Sequence, residues 1–279
     1  AMVEIDWEVL PVAVDAETAL DANTQVIHES LGDNLAWKRN ADFGDVDAAY
    51  AAADHVIEDT FIFGRHTGVC LETRGLVADY ESSEEQLTVW HNNQCPHMIQ
   101  NILATHYGLE EHRVRVITRD VGGSFGIKVH TYADEITTVG LSVMLKRPVK
   151  FIADRLESFT SDIHARDHRV KGKIAVKADG TITAFEIDDL TGVGPYSMYP
   201  RTSAIEANQV VNMIGGPYLF ENYRAEANVV YQNKAMMCQY RAVGHPIKCA
   251  VTEGLVDQAA RAVGMDPVAF RQHNFHADD

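Results

Sequence analysis

Apolar and polar residues alternate along several stretches, and each stretch predicts a strand. Met2–Val14 alternates and is rich in β-formers, so it predicts a strand, with one helical turn after it at Asp15–Asp21. A polar start and an alanine run predict a short helix over residues 44–53. The run from His55 to Gly64, then Thr67–Tyr80 and Gln86–Asn93, predict further strands. Pro96 and Gly108 bracket a helix, because proline suits a first helical turn and glycine a helix end. Residues 112–118 predict a strand, followed by a glycine-rich loop. The best helical period covers 129–146, with Ala133, Ile136, Val139, Leu141 and Met144 on its apolar side, and a strand over 148–154 follows. Over residues 168–192 two alternating runs flank Asp179-Gly180, a hairpin signature. A helix over 202–214, a strand at Asn222–Gln232, a helix at Ile247–Val263 stopped by Gly264, and a last helix at Val268–Asn274 complete the chain. Strands and helices mix without strict alternation, so the predicted class is α+β.

Composition narrows the function. The 279 residues are 46% hydrophobic and 23% charged, a globular profile that excludes a disordered or low-complexity chain. The net charge of −16 argues against nucleic acid and anionic membrane surfaces as partners. No apolar run approaches the roughly 18 residues of a membrane span, and the first residues show no leader pattern. Cys70, Cys95, Cys238 and Cys249 form no CxxC pair. Their spacing suits neither an iron–sulfur cluster nor a structural zinc, and reduced thiols in a cytoplasm are expected. Redox chemistry here requires a cofactor held by something other than cysteine.

Three segments carry candidate chemistry. In Val121–Lys128, three glycines allow close approach to a ligand, and N–H groups at a following helix start would favour an anion or oxo group. Phe125 in its middle asks for something stacked on it; the alternative is a tight strand-to-helix turn. In Met237–Pro246, Arg241 beside Gly244 could bind a carboxylate or phosphate bidentately, or could be a plain surface arginine. In Asn92–Pro96, Gln94 could donate to an oxo ligand, whereas Asn92 or Asn93 could simply cap the helix. His164 and His168 are four apart, but they lead into the hairpin and read as solvated. Glu72 reads as a strand carboxylate pairing with Arg74 or buried for structural reasons. Phosphate-loop, nucleophile-elbow and zinc signatures are missing.

In order, the runs at 87–100, 114–128, 147–159, 177–188, 222–234, 240–246 and 264–274 resemble the molybdenum hydroxylases, the group of xanthine dehydrogenase, aldehyde oxidase and aerobic carbon monoxide dehydrogenase. The similarity is to the molybdopterin-binding subunit and runs from about residue 40 onward. It implies mixed-sheet subdomains of that type. Residues 1–22 would be a remnant of the preceding hammerhead domain, and 23–279 the first molybdopterin-binding domain. It implies a molybdenum–pterin cofactor in the cytosine dinucleotide form usual in bacteria, with the metal held by the pterin. It also implies iron–sulfur and FAD partner subunits and an oligomeric assembly. By resemblance, Gln94 hydrogen-bonds a molybdenum oxo ligand, Gly123, Ser124, Phe125 and Gly126 lie against the metal, and Arg241, Ala242, Val243 and Gly244 form the loop beside it. Arg201 corresponds loosely to a substrate-facing arginine.

Departures from the family pattern narrow the substrate. Ala242 stands where the carbon monoxide enzymes carry cysteine, and Val129 where purine enzymes carry glutamate. An aldehyde or an N-heterocycle remains. The general-base glutamate of a Gly-Glu-Pro-like motif has no counterpart in 1–279, so the second molybdopterin-binding half is an expected partner and the chain by itself is expected to be inactive. The rival expectation is a non-catalytic, truncated scaffold that folds and binds no cofactor.

Overall fold

The computed structural model describes residues 4–275. Its elements are β1 (Leu35–Phe43), α1 (Val46–Ala51), β2 (His55–Phe63), β3 (Gly75–Glu81), β4 (Gln86–His91), α2 (Pro96–Tyr107), β5 (Val114–Ile117), α3 (Ala133–Leu145), β6 (Val149–Ile152), α4 (Arg155–Ser161), β7 (His168–Val176), β8 (Ile182–Gly192), α5 (Ile205–Met213), β9 (Asn222–Val230), α6 (His245–Val263) and α7 (Pro267–Asn274). The α+β expectation holds.

Two mixed sheets each build a core. The larger runs β1-β9-β8-β7-β2. The β7–β8 hairpin is antiparallel, with His168 opposite Thr191, and β8 and β9 run parallel, joined through α5. Val170, Ile174, Phe185 and Ile187 face α5 and α6, where Val210, Val251, Leu255 and Val256 close a dry core. Gly172 is needed on that face: a Cβ there would stand 2.9 Å from Leu255 and 3.1 Å from Val251. On the opposite, polar face, the Tyr50 hydroxyl of α1 donates to the Lys173 carbonyl across 3.1 Å.

The smaller sheet runs β5-β4-β3-β6, with β4 and β5 parallel through α2. Leu76, Ala78, Leu87 and Val89 face Ile99, Leu103 and Val139 of α2 and α3. Pro96 starts α2, and Gly108, at φ +67°, ends it. A third apolar cluster fills the seam between the two bodies: Cys70, Ile127, Tyr132, Ile163, Met198 and Cys238.

Several expectations are corrected. The strand predicted at Met2–Val14 does not form over residues 4–14; Met2 and Val3 lie outside the described residues. No sheet edge accepts this stretch, and Ile5, Trp7, Val9, Leu10 and Val12 are exposed. Ala13 is tied instead to Asn233, whose side chain accepts its N–H at 2.8 Å. The strand at Thr67–Tyr80 is confined to its second half, because residues 67–74 cross the seam as an irregular strap. Gly68 on that strap leaves no room for a Cβ, which would meet Ile127 at 2.7 Å. The helix over 129–146 begins only at Ala133. Tertiary bonds override helical period before that point. The Tyr132 hydroxyl donates to the Ile127 carbonyl at 2.8 Å and accepts from the Ile163 N–H at 3.3 Å. The glycine-rich loop therefore does not open a helix directly; a short 3-10 turn at Ile127–Val129 intervenes.

Candidate functional site

The strap, the glycine-rich loop and the loop before α6 meet at the seam. Residues 122–128 are anchored from both sides. On one side the Glu72 carboxylate accepts from the Gly122 N–H at 2.8 Å and from the buried Lys128 ammonium at 2.9 Å. Partial burial pushes the Glu72 carboxyl up. Lys128 and the Gly122 N–H outweigh that and hold it below the ordinary carboxylate range. Glu72 thus pairs with Lys128 and not with Arg74, and it lies outside any strand.

On the other side stands Arg74, buried. Its Nε donates to Asp162 at 2.6 Å, Nη1 to Asp134 at 2.8 Å and Glu135 at 2.9 Å, and Nη2 to Asp134 at 2.8 Å and Ser161 at 2.9 Å. Its guanidinium lies 3.6 Å from the centre of the Tyr132 ring, and Tyr132 holds Ile127. The first turn of α3, with Asp134 and Glu135, is therefore committed to a cation and offers no anion site.

Within the loop, Gly123 (φ +100°), Phe125 (φ +53°) and Gly126 (φ +104°) are left-handed. Gly126 lies so close to the next segment that a Cβ would stand 2.5 Å from the Gln239 carbonyl oxygen. This approach brings the two loops together: the Arg241 N–H donates to the Phe125 carbonyl at 2.7 Å. The Arg241 guanidinium carbon lies 5.2 Å from the Phe125 ring centroid, within cation–π range.

Gln94 joins from the turn between β4 and α2. Its N–H donates to the Lys128 carbonyl at 3.1 Å. Its side-chain Oε1 accepts from the Ser124 hydroxyl and, at 3.2 Å, from the Gly126 N–H. A backbone N–H demands an acceptor, so the oxygen faces the loop and the amide NH2 turns outward. The Asn93 side chain accepts from the Cys95 N–H at 2.7 Å, while Asn92 ties Gly75 and Thr73.

Gln94, Phe125 and Arg241, separated by up to 147 positions in sequence, thus share one exposed face. It presents an amide donor, an aromatic ring 39% exposed and a guanidinium with no carboxylate partner among the described residues. In a chain of net charge −16, this donor-rich patch suits an oxygen-rich or anionic ligand. Ala242 (φ +67°) and Gly244 (φ +75°) complete the arginine loop, and the Gly244 N–H is taken by Glu206 at 3.1 Å. Val243 is half-buried beside them. Arg201 is exposed on the next loop, whose carbonyls at Arg201 and Thr202 lie 3.8 and 3.6 Å from the Cys238 thiol. Val129 is buried behind the glycine-rich loop. Burial raises the Cys70 thiol above its ordinary value and that of Cys238 to about 11. Among the described residues no three His, Cys, Asp or Glu converge as a metal-ligand set, and no helix is long and apolar enough to cross a membrane.

Two groups of residues at the site were not predicted. Lys128 follows the glycine run directly, and nothing in the sequence marks its pairing with Glu72 on the strap. Glu206, Arg166 and His168 form a buried cluster under the arginine loop. His168 is fully buried on Asp189 at 2.9 Å, so the expectation of a solvated histidine is overturned. The strand's alternation turns it inward, and Asp189 reaches it diagonally on β8, two residues from Thr191, its partner in register.

Residues 27–275 match the model of the molybdopterin cofactor-binding domain, and the chain belongs to that family, within the molybdenum hydroxylases. It is 32% identical over 281 residues to the nicotine 6-hydroxylase large subunit of Paenarthrobacter nicotinovorans, covering 98% of this chain and 34% of that protein. It is 31% identical over 274 residues to the nicotinate dehydrogenase large molybdopterin subunit of Eubacterium barkeri, covering 98% and 63%. The solved quinoline 2-oxidoreductase of Pseudomonas putida 86 superposes with a TM-score of 0.93 at 32% identity, over 98% of this chain and 34% of that one. The chain therefore spans about a third of the length of the first of these relatives and about two thirds of the length of the second.

Proposed function

We propose that this chain supplies one wall of a molybdopterin site in an oxidoreductase that hydroxylates an N-heterocyclic substrate, with water as the oxygen source. The observation that carries the reading is the convergence of the outward Gln94 amide, the Phe125 ring and the Arg241 guanidinium, which has no carboxylate partner among the described residues, on one face. When bound, molybdenum in its pterin would supply the two-electron oxidation that inserts the oxygen into a C–H bond. Gln94, the Gly123–Gly126 loop, Arg241, Ala242 and Val243 would hold that group, and Gly244 shapes the loop from within. The residues present fit it, because the free groups are donors and the ligand's reactive face is oxygen-rich.

The chain's own contributions follow from geometry. Gln94 donates to an oxygen placed before it. Phe125 presents an edge or face to a flat ring, and Arg241 offers two parallel donors to negative charge. The relatives named for nicotine, nicotinate and quinoline all take their names from N-heterocycles, which favours this substrate class over an aldehyde. The second half of the site, with the general base, and the iron–sulfur and FAD subunits would come from partners, in a cytoplasmic assembly. We take the cofactor as the cytosine dinucleotide form, and residues 1–22 as the exit of a preceding hammerhead domain.

Molybdenum and pterin analysis of the chain, purified alone and with the complementary half, tests the proposal. Stoichiometric metal with the partner present supports it. Absence of both under that condition would leave the scaffold reading. In the assembled enzyme, Gln94→Ala and Arg241→Ala should each lower turnover about 10²-fold or more; unchanged turnover in both removes the assignments.

A further inference from the structure

We propose that Glu206 and Arg166 are positioning residues for Arg241, holding the 241–244 loop from beneath through a buried charge cluster anchored on the β7–β8 hairpin. The inference rests on the proposed function only in taking Arg241 as the group to be placed.

Glu206 Oε1 gathers both ends of the loop. It accepts from the Gly244 N–H at 3.1 Å and from Arg166 Nε at 3.2 Å. Arg166 in turn donates through Nη2 to the Arg241 carbonyl at 2.6 Å, with its guanidinium 5.2 Å from the Tyr240 ring. Between these two ties sits Ala242 in the left-handed region, a conformation a non-glycine residue keeps only where its surroundings impose it.

Behind the loop, Glu206 Oε2 lies 3.8 Å from His168 Nε2, and neither atom has a nearer partner among the described residues. His168 Nδ1 lies 2.9 and 3.0 Å from the Asp189 oxygens and 2.8 Å from the Thr191 hydroxyl. Reading outward, the charges alternate: Asp189, His168, Glu206, Arg166. A buried charge survives only when paired, and this alternation pairs each one. Burial alone would lower the His168 pKa, but Asp189 and Glu206 outweigh it and raise it to about 10, so the ring is a cation. Burial pushes Glu206 up, and His168, the Gly244 N–H and Arg166 pull it below its ordinary value, so it stays an anion. The outward ends of the cluster are the Arg241 carbonyl and the Gly244 N–H. Rigidity of the sheet is thereby delivered to the loop that carries the Arg241 guanidinium.

Residue-resolved amide hydrogen exchange on the 279-residue chain tests this. Glu206→Gln keeps shape and an acceptor but removes the charge. Arg166→Ala removes the tie to Arg241, and Arg166→Lys restores a cation. Protection of the Arg241 and Gly244 amides should fall tenfold or more in the first two variants and less in the third, while Ile174 and Ile187 in the hairpin exchange as in the parent. Unchanged loop protection in Glu206→Gln overturns the proposal. So does an equal loss in hairpin and loop, or failure of both Glu206→Gln and Arg166→Ala to fold, since the cluster would then hold the sheet and not the loop. No cofactor enters the measurement, so its outcome is independent of the molybdenum analysis.

Discussion

Replacing Arg74 by methionine would remove a buried guanidinium that makes five hydrogen bonds to four side chains. Methionine fills much of the volume, so the loss is electrostatic and not a cavity. Asp162 and Glu135, with side chains 4% and 6% exposed, would be left as buried carboxylates without their principal cation. Asp134, at 26%, can turn to water and matters less. Breaking a buried pair by removing one partner costs about 3–5 kcal/mol. At this chain length that corresponds to a fall in Tm of roughly 6–10 °C. Urea unfolding at pH 7 should show the loss in midpoint with little change in slope. A loss under about 1 kcal/mol at pH 7 would show that water reaches this cluster and that Arg74 is not its essential cation.

Three further outcomes follow from the same geometry. Gly126→Ala should destabilise by about 2 kcal/mol or more, from a φ of +104° and a Cβ against the Gln239 carbonyl, whereas Gly108→Ala, also left-handed but with nothing within 4 Å, should cost about 1 kcal/mol; equal losses in urea titrations would deny the close loop–loop approach. The His168 pKa is raised from 6.5 to about 10, so its contribution to stability is complete below pH 6.5 and declines as pH rises through 10. Glu206 is shifted the other way, and its contribution is complete above 4.5 and lost as pH falls through its lowered value. His168→Gln should therefore flatten the alkaline limb of a stability–pH profile, and an imidazole that NMR finds neutral at pH 8 would contradict the charge alternation. Iodoacetamide should label exposed Cys249 first and Cys238 last, since burial raises the Cys238 thiol to about 11; mass spectrometry showing early Cys238 modification would contradict its burial.

Local signals carried most of the fold. Asp179-Gly180 set the hairpin, and Pro96 and Gly108 set α2, because turn and cap chemistry acts within a few residues. β1 escaped prediction: Leu35–Phe43 has three half-buried residues in succession and lies at the sheet edge, paired with β9 almost two hundred positions away. α4 was missed at seven residues, although Asp154 and Glu157 form a capping box that a D-x-x-E pattern advertises. For the candidate site, the family pattern singled out Gln94, Phe125 and Arg241, and the fold brings these positions to one face. Their supports were illegible because a buried ion pair leaves no periodic trace: Glu72 meets Lys128 across 56 positions and Arg166 meets Glu206 across 40.

The groups that meet at the seam do not share a core. Gln94 is carried by the smaller sheet and Arg241 by the larger one, with the glycine loop bridging them. A slight shear of one body over the other would change the spacing from amide to guanidinium while both interiors stayed intact. That spacing can therefore be reset by substitutions in the seam cluster around Cys70, Ile127 and Met198, none of which need touch a ligand.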